Sequence, residues 1–151
     1  MSTRETDKYW LNVAIDLSRK CPKTDMSFAV GAVLLDRSGQ LISTGYSLEL
    51  GPGWHAEEVA LHKAAERQID PAGGTIYCSL EPCSIRLSGK TACAEHAVKA
   101  GVARVVFALK EPPVFVSGTG MEYLETRGLE VFHLPEFGVA VEDINRHLLG
   151  D

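Results

Sequence analysis

The chain has 151 residues, of which 45% are hydrophobic and 23% charged, and its formal net charge is −5. This length and balance are typical of a compact globular protein with a core of ordinary size, so we predict a single domain over residues 1–151. No apolar run is long enough to cross a bilayer, which argues against a membrane protein. The acidic balance and the lack of a basic stripe argue against a protein that binds nucleic acid polymers.

The N-terminal segment is polar and charged, and it lacks the apolar core of an export signal. We therefore expect a cytoplasmic protein, in which the four cysteines of the chain are reduced.

The order of the predicted elements is that of an α/β domain. An amphipathic helix comes first, two strands joined by a short turn form a hairpin, and helices then alternate with strands. Predicted helices cover residues 6–19, 55–68, 93–101, part of 118–128 and 139–150, and predicted strands cover 27–36, 41–48, 75–80, 103–109 and 129–134. This pattern predicts a three-layer α/β/α sandwich in which the later strands are parallel.

Two short motifs supply the side chains of a candidate metal site. "GPGWHAEE" places His55 and Glu57 where a loop rich in Gly and Pro gives way to a helix, and "EPCSIRLSGKTACA" contains Cys83 and Cys93. One imidazole and two thiolates form a ligand set for tetrahedral zinc with an open fourth position, which is typical of catalytic zinc. Water bound at such a position reaches a pKa of about 7. Glu57 is then placed to carry protons without binding the metal.

Two less specific interpretations compete with this one. The cysteines could be small buried core residues, or Cys78 could complete a closed structural zinc site. Cys78 lies inside the predicted strand 75–80, which favours a core position, and we predict Cys21 to be a surface or helix-end thiol. We expect Glu81, directly before Pro82, to fix the adjacent loop through backbone amides, with a direct substrate contact as the alternative.

The combination of His-x-Glu, Pro-Cys and a second cysteine resembles the zinc deaminases that act on cytosine, adenine and related rings, where two residues separate the cysteines. Here residues 84–92 separate them, and this longer insert resembles that of the pyrimidine deaminase domain of riboflavin biosynthesis. The similarity spans roughly residues 5–135. It implies a cytidine deaminase-like fold with a five-stranded mixed sheet, zinc-binding helices on one face, one Zn²⁺ per chain, and a homodimer or larger homo-oligomer.

The sequence departs from the riboflavin family at positions that would contact the substrate. Ser27 and Ser47 stand where that family has an asparagine and a histidine, and Ile85 stands where a histidine often follows Cys-Ser. Lys90 of the Gly-Lys-Thr segment is retained, whereas the reductase domain that usually follows is not part of this sequence. The metal chemistry therefore carries over better than the identity of the substrate.

Five residues are candidates for substrate binding: Ser27, Trp54, Ala56, Arg86 and Lys90. Trp54 could stack on a planar ring or pack against the neighbouring loop. Arg86 and Lys90 could hold a phosphate or could be solvated charges of an exposed loop.

The motifs together predict a hydrolytic deaminase that releases ammonia from a small aminopyrimidine-type heterocycle, with Glu57 transferring protons. The substrate could instead be a nucleoside, a nucleotide of the cytidine or dCMP type, or a heterocycle of secondary metabolism. The alternative outside enzymes is a catalytically silent partner subunit of the same fold. Because a silent subunit has no need of a proton-transferring acid, the presence of Glu57 favours the enzyme.

Overall fold

The computed structural model of the chain describes residues 3–84, 91–113 and 120–149. Their centre is a five-stranded sheet in the order β2-β1-β3-β4-β5. Strand β1 is antiparallel to both β2 and β3, whereas β3, β4 and β5 are parallel to one another. The strands are β1 (Gly31–Leu35), β2 (Leu41–Tyr46), β3 (Thr75–Leu80), β4 (Arg104–Leu109) and β5 (Glu130–His133). The predicted hairpin and the predicted mixed sheet are confirmed.

Helices cover both faces of this sheet, as the predicted α/β/α sandwich requires. The helices are α1 (Thr3–Ser18), α2 (Ala56–Glu66), α3 (Cys93–Lys99), α4 (Gly120–Thr126), α5 (Gly138–Ile144) and α6 (Arg146–Leu149), with a 3₁₀ turn at Pro135–Phe137. Helices α2, α3 and α4 contribute buried residues to the core on one face, and α1 and α5 contribute to the core on the other. None of the helices in the described segments is long and apolar enough to cross a membrane.

Strand β3 shows why the sheet is buried on both faces. All its residues are buried, and successive side chains point to opposite sides, as they do in any strand. Ile76 and Cys78 join the core beneath α2 and α3, while Tyr77 joins the core beneath α1. The core position predicted for Cys78 is therefore confirmed, and its thiol lies in the layer that supports the zinc-side helices.

A glycine allows α2 to approach the sheet closely. A Cβ atom at Gly45 of β2 would lie 2.3 Å from the carbonyl oxygen of Ala56 and 2.9 Å from the amide nitrogen of Ala60. Any side chain at this position would push the helix away from the strand. The position of the first turn of α2, which carries the candidate site residues, thus depends on Gly45.

Asn145 explains two differences between the predicted and observed elements. It is only 1% exposed, its Oδ1 accepts a hydrogen bond from the Ala29 amide (2.7 Å), and its Nδ2 donates to the Ala29 carbonyl (3.1 Å). The backbone of Ala29 is thereby paired with a side chain instead of a strand, so the predicted strand 27–36 begins only at Gly31. The predicted helix 139–150 is divided at the same residue into α5 and α6.

Of the two positions predicted for Cys21, the helix end is confirmed and the surface is wrong. Cys21 follows the end of α1, but it is only 7% exposed, and burial raises the pKa of its thiol.

Candidate active site

Three separate elements bring one histidine and two cysteines together. His55 directly precedes α2, Cys83 follows the carboxyl end of β3, and Cys93 is the first residue of α3. Strand β3 ends at the sheet edge that faces the first turns of both helices, so residues distant in sequence meet there. Among the described residues, these three form the one group of His, Cys, Asp or Glu side chains that could hold a metal ion.

The distances within this group suit zinc. The Nδ1 atom of His55 lies 3.2 Å from the Sγ atom of Cys93 and 3.8 Å from the Sγ atom of Cys83. All three donor atoms lie within 4.8 Å of one another. Tetrahedral zinc with its usual bonds to nitrogen and sulfur separates ligand atoms by roughly 3.3–3.8 Å. The donor types and their spacing therefore fit a zinc ion with three protein ligands.

The surroundings of Cys83 favour its thiolate form, which is the form that binds metal. The Cys93 side chain is the main cause of a lowered Cys83 pKa, a hydrogen bond with His55 contributes, and burial opposes the shift. The Cys93 amide also contributes to the lowered pKa, because it donates to the Cys83 sulfur (3.3 Å), while the Ala94 amide holds the Cys83 backbone by donating to its carbonyl (3.0 Å). The first turn of α3 thus holds and stabilises the anionic ligand.

Glu57 is a buried acid beside this donor group. It is the second residue of α2 and only 4% exposed. Burial and, to a smaller extent, the negative charge of Cys83 raise the pKa of Glu57 to about 7 against the opposing charge of His55. A carboxyl group whose pKa lies near neutral pH can both accept and donate protons, which is the property that general acid–base catalysis requires.

Glu58 supports His55 instead of acting as a second acid. Its Oε1 accepts a hydrogen bond from the His55 amide (3.2 Å), and its Oε2 lies 3.6 Å from Nε2 of His96 on α3. The hydrogen bond to the His55 amide closes the N-terminus of α2, and the Glu58 carboxylate lies near α3.

Glu81 connects the metal site to the next strand and helix. Its side chain is buried, its Oε1 accepts from the Glu111 amide (3.0 Å), and its Oε2 accepts from the Met121 amide (2.8 Å). Gly120 packs so closely here that an added Cβ would lie 1.7 Å from the Pro82 carbonyl oxygen. The expectation that Glu81 fixes a loop through backbone amides is confirmed, and Glu81 fixes two segments, one on each side of residues 114–119.

The candidate substrate-binding residues are only partly brought together. Ala56 is fully buried between His55 and Glu57, and Ser27 is half-buried in the segment before β1. The indole ring of Trp54 packs edge-on against the His62 ring, with 5.1 Å between the ring centroids. It lines a groove between α2 and α3. Arg86, Lys90 and Ile85 lie outside the described residues.

Ser47 contributes to the backbone structure behind the site. It is buried, and its Oγ accepts a hydrogen bond from the Val30 amide (3.0 Å) just before β1. Its hydroxyl is thus engaged in joining the ends of β1 and β2.

Glu111 is absent from the residues predicted above, although the structure places it in the same region. It follows the carboxyl end of β4, the parallel neighbour of the strand that leads to Cys83. Ligands of α/β proteins commonly bind at this edge of the sheet. An acidic residue two positions after a parallel strand, here in "ALKEPP", was the signal that could have identified it.

Comparisons with known proteins agree with this geometry. Residues 4–109 match the family model described as the cytidine and deoxycytidylate deaminase zinc-binding region. The chain belongs to this family. The matched region is a zinc-binding region, which agrees with the zinc expected from the sequence. The group of His55, Cys83 and Cys93 supplies suitable ligands for this ion.

Individual members of the deaminase family are also similar to this chain. The diaminohydroxyphosphoribosylamino-pyrimidine deaminase of Schizosaccharomyces pombe is 39% identical over 127 residues, which are 83% of this chain and 31% of that protein. The riboflavin biosynthesis protein RibD of Aquifex aeolicus is 34% identical over 141 residues, which are 93% of this chain and 37% of RibD. The chain thus spans about a third of the length of these two relatives.

A solved structure shows the same arrangement of elements. The diaminohydroxyphosphoribosylaminopyrimidine deaminase/5-amino-6-(5-phosphoribosylamino)uracil reductase of Thermotoga maritima superposes with a TM-score of 0.86 at 26% identity, covering 98% of this chain and 41% of that one. The predicted resemblance to the riboflavin-pathway deaminase domain is confirmed.

Removal of one proposed ligand tests the metal site. We expect Cys83→Ala to lose most of its zinc, because an imidazole and one thiolate leave two positions of a tetrahedral ion without protein ligands. Cys21→Ala is the matched control, since it removes a buried thiol outside the donor group and should retain about one zinc per chain. Metal analysis of purified variants measures both. Full zinc occupancy in Cys83→Ala would contradict the assignment.

Proposed function

We propose that residues 1–151 form a single deaminase domain that hydrolyses the exocyclic C–N bond of a small aminopyrimidine and releases ammonia. The observation that carries this proposal is the placement of buried Glu57 beside the His55, Cys83 and Cys93 donor atoms. A structural zinc site has no use for a buried acid within the same helical turn. A hydrolytic site needs such an acid, because protons must move between water, ring and amine.

A zinc ion held by His55, Cys83 and Cys93 supplies Lewis acidity, which makes water a stronger acid near neutral pH. Glu57 accepts a proton from the attacking water, whose oxygen forms a bond to the carbon that carries the exocyclic amine. Glu57 returns this proton to the ring nitrogen, then takes the second proton of the former water from the new hydroxyl group and delivers it to the leaving amine. The C–N bond breaks, the carbon keeps the oxygen as a carbonyl group, and the amine departs as ammonia.

The low exposure of this site strengthens the electrostatic interactions on which these steps depend. Cys93 is 1% exposed and Cys83 is 7% exposed, so their charges interact with Glu57 through a medium of low polarity. The first turn of α2 also presents Glu57 at the positive end of the helix dipole, which favours the carboxylate that starts the reaction.

The substrate class follows from the relatives. Two of the proteins similar to this chain are named for a diaminohydroxyphosphoribosylaminopyrimidine, and we propose that compound as the substrate. It carries a phosphate, and the cations Arg86 and Lys90 of the segment between the two cysteines are suited to bind one. The assignment of these two cations rests on the sequence, since they lie outside the described residues.

We further propose that the chain acts in the cytoplasm as a homodimer or larger homo-oligomer. A reducing compartment suits a site that requires two thiolates, and all four cysteines of the chain are free of disulfides. The oligomeric state is an expectation from the family resemblance.

Ammonia release from defined compounds tests the substrate. We expect zinc-loaded protein to deaminate the phosphoribosylated diaminopyrimidine much faster than cytidine or dCMP. If Lys90 binds the phosphate, Lys90→Ala should raise KM at least about 10-fold for that compound and little for its dephosphorylated form. Lys99→Ala, which removes an exposed lysine of α3, is the control. Equal turnover of all compounds, or none, would contradict the substrate assignment.

A conservative change at Glu57 tests the mechanism. Glu57→Gln keeps the size of the side chain but removes its ability to accept a proton, so we expect kcat to fall by at least about 10²–10⁴-fold. Zinc content should stay near one per chain, because Glu57 is not a ligand. Glu66→Gln, an exposed change at the end of the same helix, should leave kcat unaltered. Near-normal turnover by Glu57→Gln would remove this residue from the mechanism.

A further inference from the structure

A buried carboxyl oxygen near the metal site has no partner in the described part of the chain. The Oε1 atom of Glu111 is inaccessible to solvent and makes no hydrogen bond there. Buried acceptors almost always have a partner, because leaving one without a hydrogen bond costs about 1–3 kcal/mol. An exception beside a reactive centre indicates a group whose partner is a ligand.

The backbone of Glu111 is held firmly where this oxygen can meet a ligand. Its amide donates to Glu81 Oε1 (3.0 Å), and the Glu81 amide donates in turn to the Leu109 carbonyl (2.8 Å). Glu81 is two residues before Cys83, so the segment that carries Glu111 is fixed directly to the segment that carries a metal ligand. The Glu111 side chain is therefore attached to the metal site without being part of its donor group.

The charged groups that interact with Glu111 also show that its carboxyl group lies close to the metal site. Burial, together with the negative charges of Cys83, Glu81 and Glu57, raises the pKa of Glu111 to about 8. Glu111 thus lies within the field of both the metal ligand and the proposed proton carrier. If position 111 served only the stability of the fold, an apolar side chain would suit this negative environment better than a glutamate.

We propose that Glu111 is a substrate-binding residue whose carboxyl oxygen accepts a hydrogen bond from a ring N–H or an exocyclic amino group of the heterocycle. This inference rests on the proposed function and adds to it a determinant of specificity. An aminopyrimidine carries several N–H donors besides the amine that reacts, and an acceptor at Glu111 selects for them. Rings that lack such donors would leave the buried oxygen unpaired and would bind less well.

Two variants separate binding from structure. Glu111→Met removes the acceptor while keeping a side chain of similar length, and the backbone hydrogen bond to Glu81 is unaffected. Glu111→Gln keeps one acceptor oxygen at the same position. The control is Glu125→Met, which makes the same chemical change at an exposed position of α4.

The measurement is calorimetric titration of zinc-loaded, full-length protein with 2,6-diaminopyrimidin-4-one, together with kinetics on the proposed substrate. We expect Glu111→Met to weaken binding of the probe and to raise KM by about 10- to 100-fold, with a smaller change in kcat. Glu111→Gln should recover most of this loss. Zinc content should not fall, and neither should the unfolding temperature of Glu111→Met, because no hydrogen bond to a described protein group is removed.

Unchanged probe affinity in Glu111→Met, or no binding of the probe by the wild-type protein, would overturn the inference. A parallel loss of zinc or of thermal stability without recovery in Glu111→Gln would overturn it too, since that result indicates a structural role. Binding that depends on Glu111 in a protein that releases no ammonia would support the inference and contradict the proposed function.

Discussion

The close approach of two thiol groups and one imidazole is the interaction on which the rest of this structure depends. Cys83, Cys93 and His55 come from three elements and place their donor atoms within 4.8 Å of one another. Two thiolates in such a space, with the Glu57 carboxylate beside them, repel each other in a medium of low polarity. A divalent cation offsets this repulsion, so the same ion that supplies the chemistry also stabilises the junction of β3, α2 and α3.

The carboxyl edge of the sheet has a second group of acids with a different purpose. Glu81 uses both its oxygens to hold the segments that follow β4 and begin α4, and this places Glu111 next to the site. Structural support and substrate recognition are thus divided between two neighbouring carboxyl groups. Glu81, with both oxygens paired, fixes the backbone, whereas the Glu111 oxygen without a partner among the described residues is the one that we propose binds the substrate.

The sequence predicted the parts of this molecule whose signals are local. The motifs around His55, Glu57, Cys83 and Cys93 have fixed spacing and lie at the boundaries of predicted elements, so the metal-binding group could be identified before the structure was known. The five strands and the order of helices also followed from periodicity. These signals depend on neighbouring residues, which the sequence shows directly.

Other features depended on contacts between distant residues and could not be predicted in this way. Asn145 pairs with Ala29 across 116 positions, which shortened the first predicted strand and divided the last predicted helix. The burial of Cys21 was missed, although its place at a helix end was predicted, because burial depends on tertiary packing beyond the end of α1. Glu111 gave only a weak signal, since an acid before two prolines is also typical of an ordinary exposed turn.

X-ray absorption spectroscopy at the zinc edge of the metal-loaded protein tests the central claim most directly. The claim is that zinc has three protein ligands and one open position, which water occupies. The predicted result is two sulfur scatterers, one imidazole nitrogen and one further light atom, and the light atom should be exchanged when an inhibitor or product binds. A site with a third sulfur or a second imidazole would be closed by protein and would contradict the account of this chain as a hydrolytic enzyme.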